Sequence, residues 1–208
     1  MNSAEITLVG RSSSHFTRTA RIFAVELGVA HRFAPVLDMT TIEPAAYGGN
    51  PALKIPVLLD EQGPLFGTEN ICRALAHRSG SRDRVVLRGD VAHRLVANAE
   101  EMIVHAMSSE VTLITTALGG AQHAPPPKVR RSLENALAFL DENVEALCAA
   151  LPSARLLSFC ETALFCLITH LPFRQIMDVS HHRRLHAFVQ AFEARPGARA
   201  TAYRFDAA

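Results

Sequence analysis

The chain has 208 residues, 49% of them hydrophobic, and a formal net charge of +1 with histidine neutral. That hydrophobic share excludes a disordered chain, and a charge this close to zero gives no electrostatic case for nucleic acid or an anionic membrane as partner. The length suits one large domain or two small ones.

The opening "MNSAEITLVG" lacks the basic stretch and long apolar run of a signal peptide. Within it, "ITLVG" (6–10) is a short apolar run ending in glycine, a buried strand. From Phe16, apolar residues recur at Ala20, Phe23, Ala24 and Leu27, a helical spacing that Gly28 is placed to stop. "HRFAPVL" (31–37) reads as a second strand, with Pro35 near an edge. "IEPAAYGG" (42–49) reads as an irregular helical turn closed by two glycines. "PVLLD" and "PLFG" flank "EQG", a hairpin by length and turn chemistry. "ENICRALAHRSG" (69–80) is a short helix with Gly80 past its end.

The order is therefore β-α-β-α-β-β-α. Strands joined through a helix tend to lie parallel and a tight hairpin is antiparallel, which predicts a four-stranded mixed sheet with helices on its faces. "SRDRVVLRGD" (81–90) reads as a polar linker with one apolar patch, and every periodic segment beyond it is helical. These are 92–118, as one helix or two, then 129–151, then "ETALFCLITHL" (161–171), then "RRLHAFVQAFEAR", which Pro196-Gly197 ends. "GGAQHAPPPK" between the first two is a loop. The segment 161–171 is apolar nearly all round, as in the middle of a helical bundle. Its "TALFCLITHL" falls short of the roughly 20 residues a membrane span needs. Cys72, Cys148, Cys160 and Cys166 all sit in such apolar segments without a CxxC pair, which fits a reduced, cytoplasmic protein.

Four stretches in order resemble the glutathione S-transferases. "GRSSSHFTRTARIFAVELGV" resembles their turn from first strand to first helix. "NPALKIPVLLDEQGPLFGTENI" resembles their Asn-Pro-x-x-x-(Val/Ile)-Pro, hairpin and Glu-Ser segment. "LLSFCETALF" and "FEARPGARATAYRF" resemble the start of their buried central helix and their C-terminal end. The resemblance covers essentially the whole chain. It implies a thioredoxin-like, glutathione-binding α/β domain over 1–80 and an all-α helical bundle over 91–208. It also implies glutathione as co-substrate, a homodimer, a role in detoxification, and no metal, membrane or nucleic-acid partner.

The site residues follow from the same resemblance. Pro56, which as a strand-breaker in "ALKIPVLL" is otherwise an edge-strand proline, is expected to be cis. Ile55 then pairs its backbone with the cysteinyl part of glutathione. Lys54 reaches the glycyl carboxylate or is a solvated lysine. Glu69 and Asn70 take the γ-glutamyl end, carboxylate to ammonium and donor to carboxylate. Asn70 departs from the family's serine. Without the family, Thr68 caps this helix and Glu69 merely favours its dipole.

Catalysis in this family requires the glutathione thiol, with a pKa of about 8.5 when free, to be held as thiolate. Ser12, Ser13 and Ser14 offer hydroxyls beside a helix N-terminus. Ser14 matches the family position seven residues before an arginine, here Arg21, and is the expected thiolate donor, with the other two in reserve. On helix signals alone Ser14 is an ordinary N-cap. Arg18 reads as exposed. His15, Met102 and His105, with Met107 and Ser109, are the residues expected to include the electrophile site. His182 and His186, four apart, read as a solvated helix face rather than metal ligands. Ser158-Phe-Cys-Glu161 matches a capping box.

The activity implied is conjugation of glutathione thiolate to a small hydrophobic electrophile. The alternatives are a catalytically weak binding or regulatory protein of the same fold, and a glutathione-dependent isomerase.

Overall fold

A computed structural model describes residues 6–118 and 127–207. The first strand, β1 (Ile6–Gly10), is central in a four-stranded sheet. After helix α1 (His15–Glu26) the chain returns as β2 (His31–Pro35), parallel to β1 at one edge. β3 (Val57–Asp60) lies antiparallel on the other side of β1, and β4 (Gly63–Phe66) pairs antiparallel with β3. Helix α2 (Thr68–Arg78) completes this unit. The four-stranded mixed sheet matches the sequence expectation, and its spatial order is β2-β1-β3-β4. The irregular helical turn expected between β2 and β3 is a 3₁₀ turn, Pro44–Tyr47, closed by Gly48 at φ 64°, a left-handed conformation that glycine adopts without steric penalty.

Successive side chains of a strand point to opposite faces, and β1 uses both. Ile6 and Leu8 join the large core with Ile22, Phe23, Ile71 and Leu75. Val9 joins a smaller cluster with Val36, Tyr47 and Val57 on the other face.

The C-terminal region is helical. α3 (Arg94–Leu118) is one continuous helix, followed by α4 (Pro127–Ala150), α5 (Phe159–Phe173), α6 (Arg183–Glu193) and α7 (Pro196–Ala200). α5 is buried almost throughout, from Phe159 to Leu171. Pro196 opens α7 rather than ending the preceding helix, as suits proline at a first helical position. The predicted loop 119–126 lies outside the described residues.

The segment expected to be a polar linker does more than connect. Its apolar patch forms β5 (Val85–Val86), which pairs in parallel with β6 (Leu157–Ser158) just before α5. Val85, Val86 and Leu87 are buried. The linker thus ties the α/β unit to the entry of the central helix.

α1 lies between the sheet and the bundle, touching α2 on one side and α5 and α7 on the other. The α7 contact is close. The Gly197 N–H donates to Glu26 Oε1 at 2.6 Å, and a Cβ at Gly197 would lie 2.9 Å from that side chain.

At the start of α5 the capping box is half formed. Ser158 Oγ accepts from the Glu161 N–H at 3.0 Å. The Glu161 carboxylate does not reach back to close the box but takes two bonds from Arg155, each 2.7 Å. Ser158 is fully buried, so nothing from solvent can replace its hydroxyl. Ser158→Ala is expected to lower stability by about 1–2 kcal/mol, measured as the urea midpoint, without changing activity per folded molecule.

Candidate active site

Strand register decides what meets at the C-terminal end of β1. Val9 is opposite Val57 and Val57 is opposite Phe66. The end of β1, the start of β3 and the end of β4 are therefore at one end of the sheet. The residues just beyond those points are Ser12–Ser14, Lys54–Pro56 and Thr68–Asn70. The N-termini of α1 and α2 lie at this same end. Helix N-termini carry unpaired N–H groups and a partial positive charge, so the place suits an anion.

The three serines are not equivalent. The Ser12 N–H donates to Asp206 Oδ2 at 2.7 Å, and its Oγ accepts from Arg21 Nη1 at 3.2 Å. The Ser13 carbonyl accepts from His170 Nε2 at 2.8 Å. Ser12 and Ser13 are buried, whereas Ser14 is partly exposed. Ser14 is the N-cap of α1 in extended conformation, with its Oγ accepting from the Thr17 N–H at 3.2 Å. Accepting that bond leaves the hydroxyl hydrogen free to donate outward. The N-cap and thiolate-donor readings of Ser14 are thus compatible.

The Ile55–Pro56 bond is cis, as expected. The loop before it is held by Asn50, a buried residue that the sequence reading did not single out. Its Nδ2 donates to the Lys54 carbonyl at 2.8 Å and its Oδ1 accepts from the Ala52 N–H at 3.0 Å. Asn-Pro followed by a tight segment was the available signal, since asparagine bonds its own backbone in turns. Lys54 is exposed and Ile55 partly so.

At α2 the cap is Gly67, at φ 89°, and Thr68 is the first helical residue. This corrects the reading of Thr68 as cap. Glu69 is partly exposed, and its Oε1 accepts from Arg73 Nη2 at 3.1 Å. Arg88 stands 3.9 Å from its Oε2 and also pairs with Glu101 at 3.1 Å. Asn70 is exposed and its Nδ2 donates to the Phe66 carbonyl at 3.0 Å.

The residues expected around the electrophile differ in exposure. His105 is exposed on α3 and its Nε2 lies 2.9 Å from Ser132 Oγ of α4. Met102 is partly buried against the core, and Met107 and Ser109 are buried. His15 is inside the protein, 1% exposed, at the meeting of α1, α3 and α5. Its Nδ1 lies 2.8 Å from His170 Nδ1 and 3.4 Å from Glu110 Oε2. His170 Nδ1 is 2.8 Å from Glu110 Oε1. Burial holds the His15 imidazole well below its ordinary pKa and pushes the Glu110 carboxyl up. Both shifts favour neutral groups, so the His15–Glu110 approach is not an ordinary ion pair.

Arg18 is also inside, which corrects its reading as exposed. Its guanidinium stacks on the rings of Phe165 and Tyr203, 4.7 and 4.2 Å from their centroids. It donates to Thr169 Oγ1 at 2.9 Å and to the Ala198 carbonyl at 3.1 Å. His182 precedes α6 and is buried, while His186 is exposed on it, so the two do not share a solvated helix face.

Comparison with known proteins agrees with this architecture. Residues 13–78 match the family model described as glutathione S-transferase, N-terminal domain. A glutathione S-transferase from Methylobacillus flagellatus, solved with glutathione bound, superposes with TM-score 0.78 at 20% identity, over 96% of this chain and 100% of that one. One from Methylobacterium radiotolerans, in complex with glutathione sulfonate, gives 0.77 at 17%, over 98% of each chain. A glutathione transferase family member from Pseudomonas fluorescens with bound glutathione gives 0.73 at 20%, over 96% of this chain and 99% of that one. No curated protein sequence matches. None of the helices among the described residues is long and apolar enough to cross a membrane. Over residues 13–78 the chain is similar to the glutathione S-transferase N-terminal domain, and as a whole it has the glutathione S-transferase fold.

Proposed function

We propose that the protein is a glutathione transferase in which Ser14 holds glutathione as thiolate for attack on a small hydrophobic electrophile. The observation that carries this is the state of Ser14. Of the three serines it is the partly exposed one, it caps α1, and its hydroxyl hydrogen is uncommitted. A donor aimed at sulfur and the positive end of α1 both stabilise only the charged thiol. In this reading residues 1–80 bind glutathione and 91–208 form the helical domain. Ile55 offers its backbone beside Pro56, Lys54 meets the glycyl carboxylate, and Glu69 and Asn70 receive the γ-glutamyl end. The hydrophobic electrophile, the homodimer and the cytoplasmic location rest on the family resemblance.

A second reading, a binding protein of the same fold without efficient chemistry, is favoured by the α2 end. Glu69 is already paired with Arg73, and Asn70 is turned back to Phe66. The thiolate absorbance of bound glutathione, followed as pH rises, separates the two. An ionisation displaced below that of free glutathione supports the transferase, and an unshifted one supports the binding protein.

Ser14→Ala is expected to raise the thiol pKa in the complex by about one unit, which is about a tenfold loss of thiolate at neutral pH. Conjugation should therefore fall most near pH 7 and recover at alkaline pH, where the thiol ionises unaided. A pH series of kcat/KM for Ser12→Ala, Ser13→Ala and Ser14→Ala checks this. A shift seen instead in a neighbour moves the assignment to that residue, and no shift in any of the three removes serine from the chemistry.

Glu69→Ala should weaken glutathione binding by about 1.5–3 kcal/mol, the usual size of a lost charge-assisted bond. Arg73→Ala should leave affinity within a few fold. Calorimetric titration of both variants measures this. Equal affinities for Glu69→Ala and wild type would leave Glu69 as the partner of Arg73 alone.

A further inference from the structure

Three Lewis-basic groups from three helices converge where solvent does not reach. His15 begins α1, Glu110 lies in the second half of α3 and His170 near the end of α5. They are 1%, 0% and 2% exposed. One ligand atom from each lies within 4.8 Å of the others. Among the described residues no other set of three His, Cys, Asp or Glu side chains meets that condition. The neighbouring rings His181 and His182, 4.0 Å apart, have no third member.

The hydrogen-bond roles sharpen the picture. His170 Nε2 faces the Ser13 carbonyl, which can only accept, so Nε2 carries the hydrogen. In the neutral ring Nδ1 then bears a lone pair, and that lone pair faces His15 Nδ1 and Glu110 Oε1, each at 2.8 Å. One Nδ1 lone pair cannot answer both neighbours well: a hydrogen on His15 Nδ1 serves one contact, and the other then needs a proton on Glu110 or a cation among the three. A proton shared between the rings and Oε1 would leave Glu110 Oε2, which is buried and has no hydrogen-bond partner. A metal ion taken by both carboxylate oxygens would not. Arg174 is the cation that acts on the cluster from outside, stacked on Phe205 and without a hydrogen bond to Glu110, so it leaves these lone pairs unfilled.

The geometry points to a buried site for one divalent ion of the zinc class, bound by His15 Nδ1, His170 Nδ1 and the Glu110 carboxylate. Two imidazoles and a carboxylate are a zinc donor set, and imidazole favours zinc, cobalt or nickel over magnesium or calcium. The bond from His170 Nε2 to a backbone carbonyl is the support that a metal-ligating histidine ordinarily has. Zinc bonds near 2.1 Å in a tetrahedron place ligand atoms about 3.4 Å apart, so the rings need to part by only about half an ångström. The ion would clamp α1 to α3 and α5 directly beneath the Ser12–Ser14 loop. The sequence expectation of no metal named no such set.

The test uses untagged full-length protein stripped with a chelator and returned to zinc or cobalt at about a hundredfold excess over Kd. Expected are about one equivalent of metal per chain after desalting and a rise in melting temperature of about 5 °C or more. Visible cobalt bands of four- or five-coordinate intensity should appear with them. Glu110→Gln and His170→Gln should lose the bands and the temperature rise, while His182→Ala keeps both. Should those two variants fail to fold, wild-type stoichiometry and its cobalt spectrum decide alone. Wild type that takes up less than about a tenth of an equivalent, with no bands and no temperature shift, overturns the proposal and leaves a proton-held triad. Metal that survives Glu110→Gln and disappears in His182→Ala overturns it as well.

Discussion

Helix α1 is covered on both flanks, by the sheet and α2 on one side and by α5 and α7 on the other, so its polar side chains must be satisfied inside the protein. Burying an unpaired polar group is costly, and an unpaired charge more so. The helix meets most of this demand, although His15 Nε2 and Arg18 Nε are buried without a hydrogen-bond partner. Thr19 donates to the His15 carbonyl at 2.9 Å, Arg21 to Ser12, and Arg18 to Thr169 and Ala198 between two aromatic faces. Among the described residues Arg18 has no carboxylate partner, so its charge is held by ring faces and neutral acceptors. These contacts fix α1 against both halves of the molecule. The Ser12–Ser14 loop inherits its position from them.

The sheet supplies the other half of the site by register alone. A slip of one residue between β1 and β3 would turn Val9 and Val57 to the wrong face and carry the Ile55–Pro56 corner away from Ser14. The two hydrophobic clusters on opposite faces penalise that slip. Packing of ordinary aliphatic side chains thus positions groups far more polar than themselves.

Local signals made much of this legible in the sequence. Turn chemistry gave the β3–β4 hairpin, glycines gave the ends of α1 and α2, and an all-round apolar pattern gave α5. Ser158 was legible as a cap because capping depends on near neighbours. What depended on distant partners was not. Arg18 reads as exposed because nothing in "HFTRTAR" announces that Phe165 and Tyr203 will enclose it. His15, Glu110 and His170 lie on three helices and have no spacing in common. One clue was present: His170 sits within a helix apolar on every side, where an imidazole must find a partner. β5 was lost because two residues are too few for a periodicity, and only β6 gives them a ladder.

The Ser12–Asp206 bond spans 194 positions of the chain. Synthesis proceeds from the N-terminus, so the sheet, α1 and α2 can form on the ribosome long before Asp206 emerges. Until then Ser12 lacks its carboxylate and α1 lacks the α5 and α7 flank. A nascent chain can therefore own a finished sheet and an unfinished thiol loop at the same moment. Loop closure over such a separation comes late in folding. A segment made well before its partner is among the last to be set.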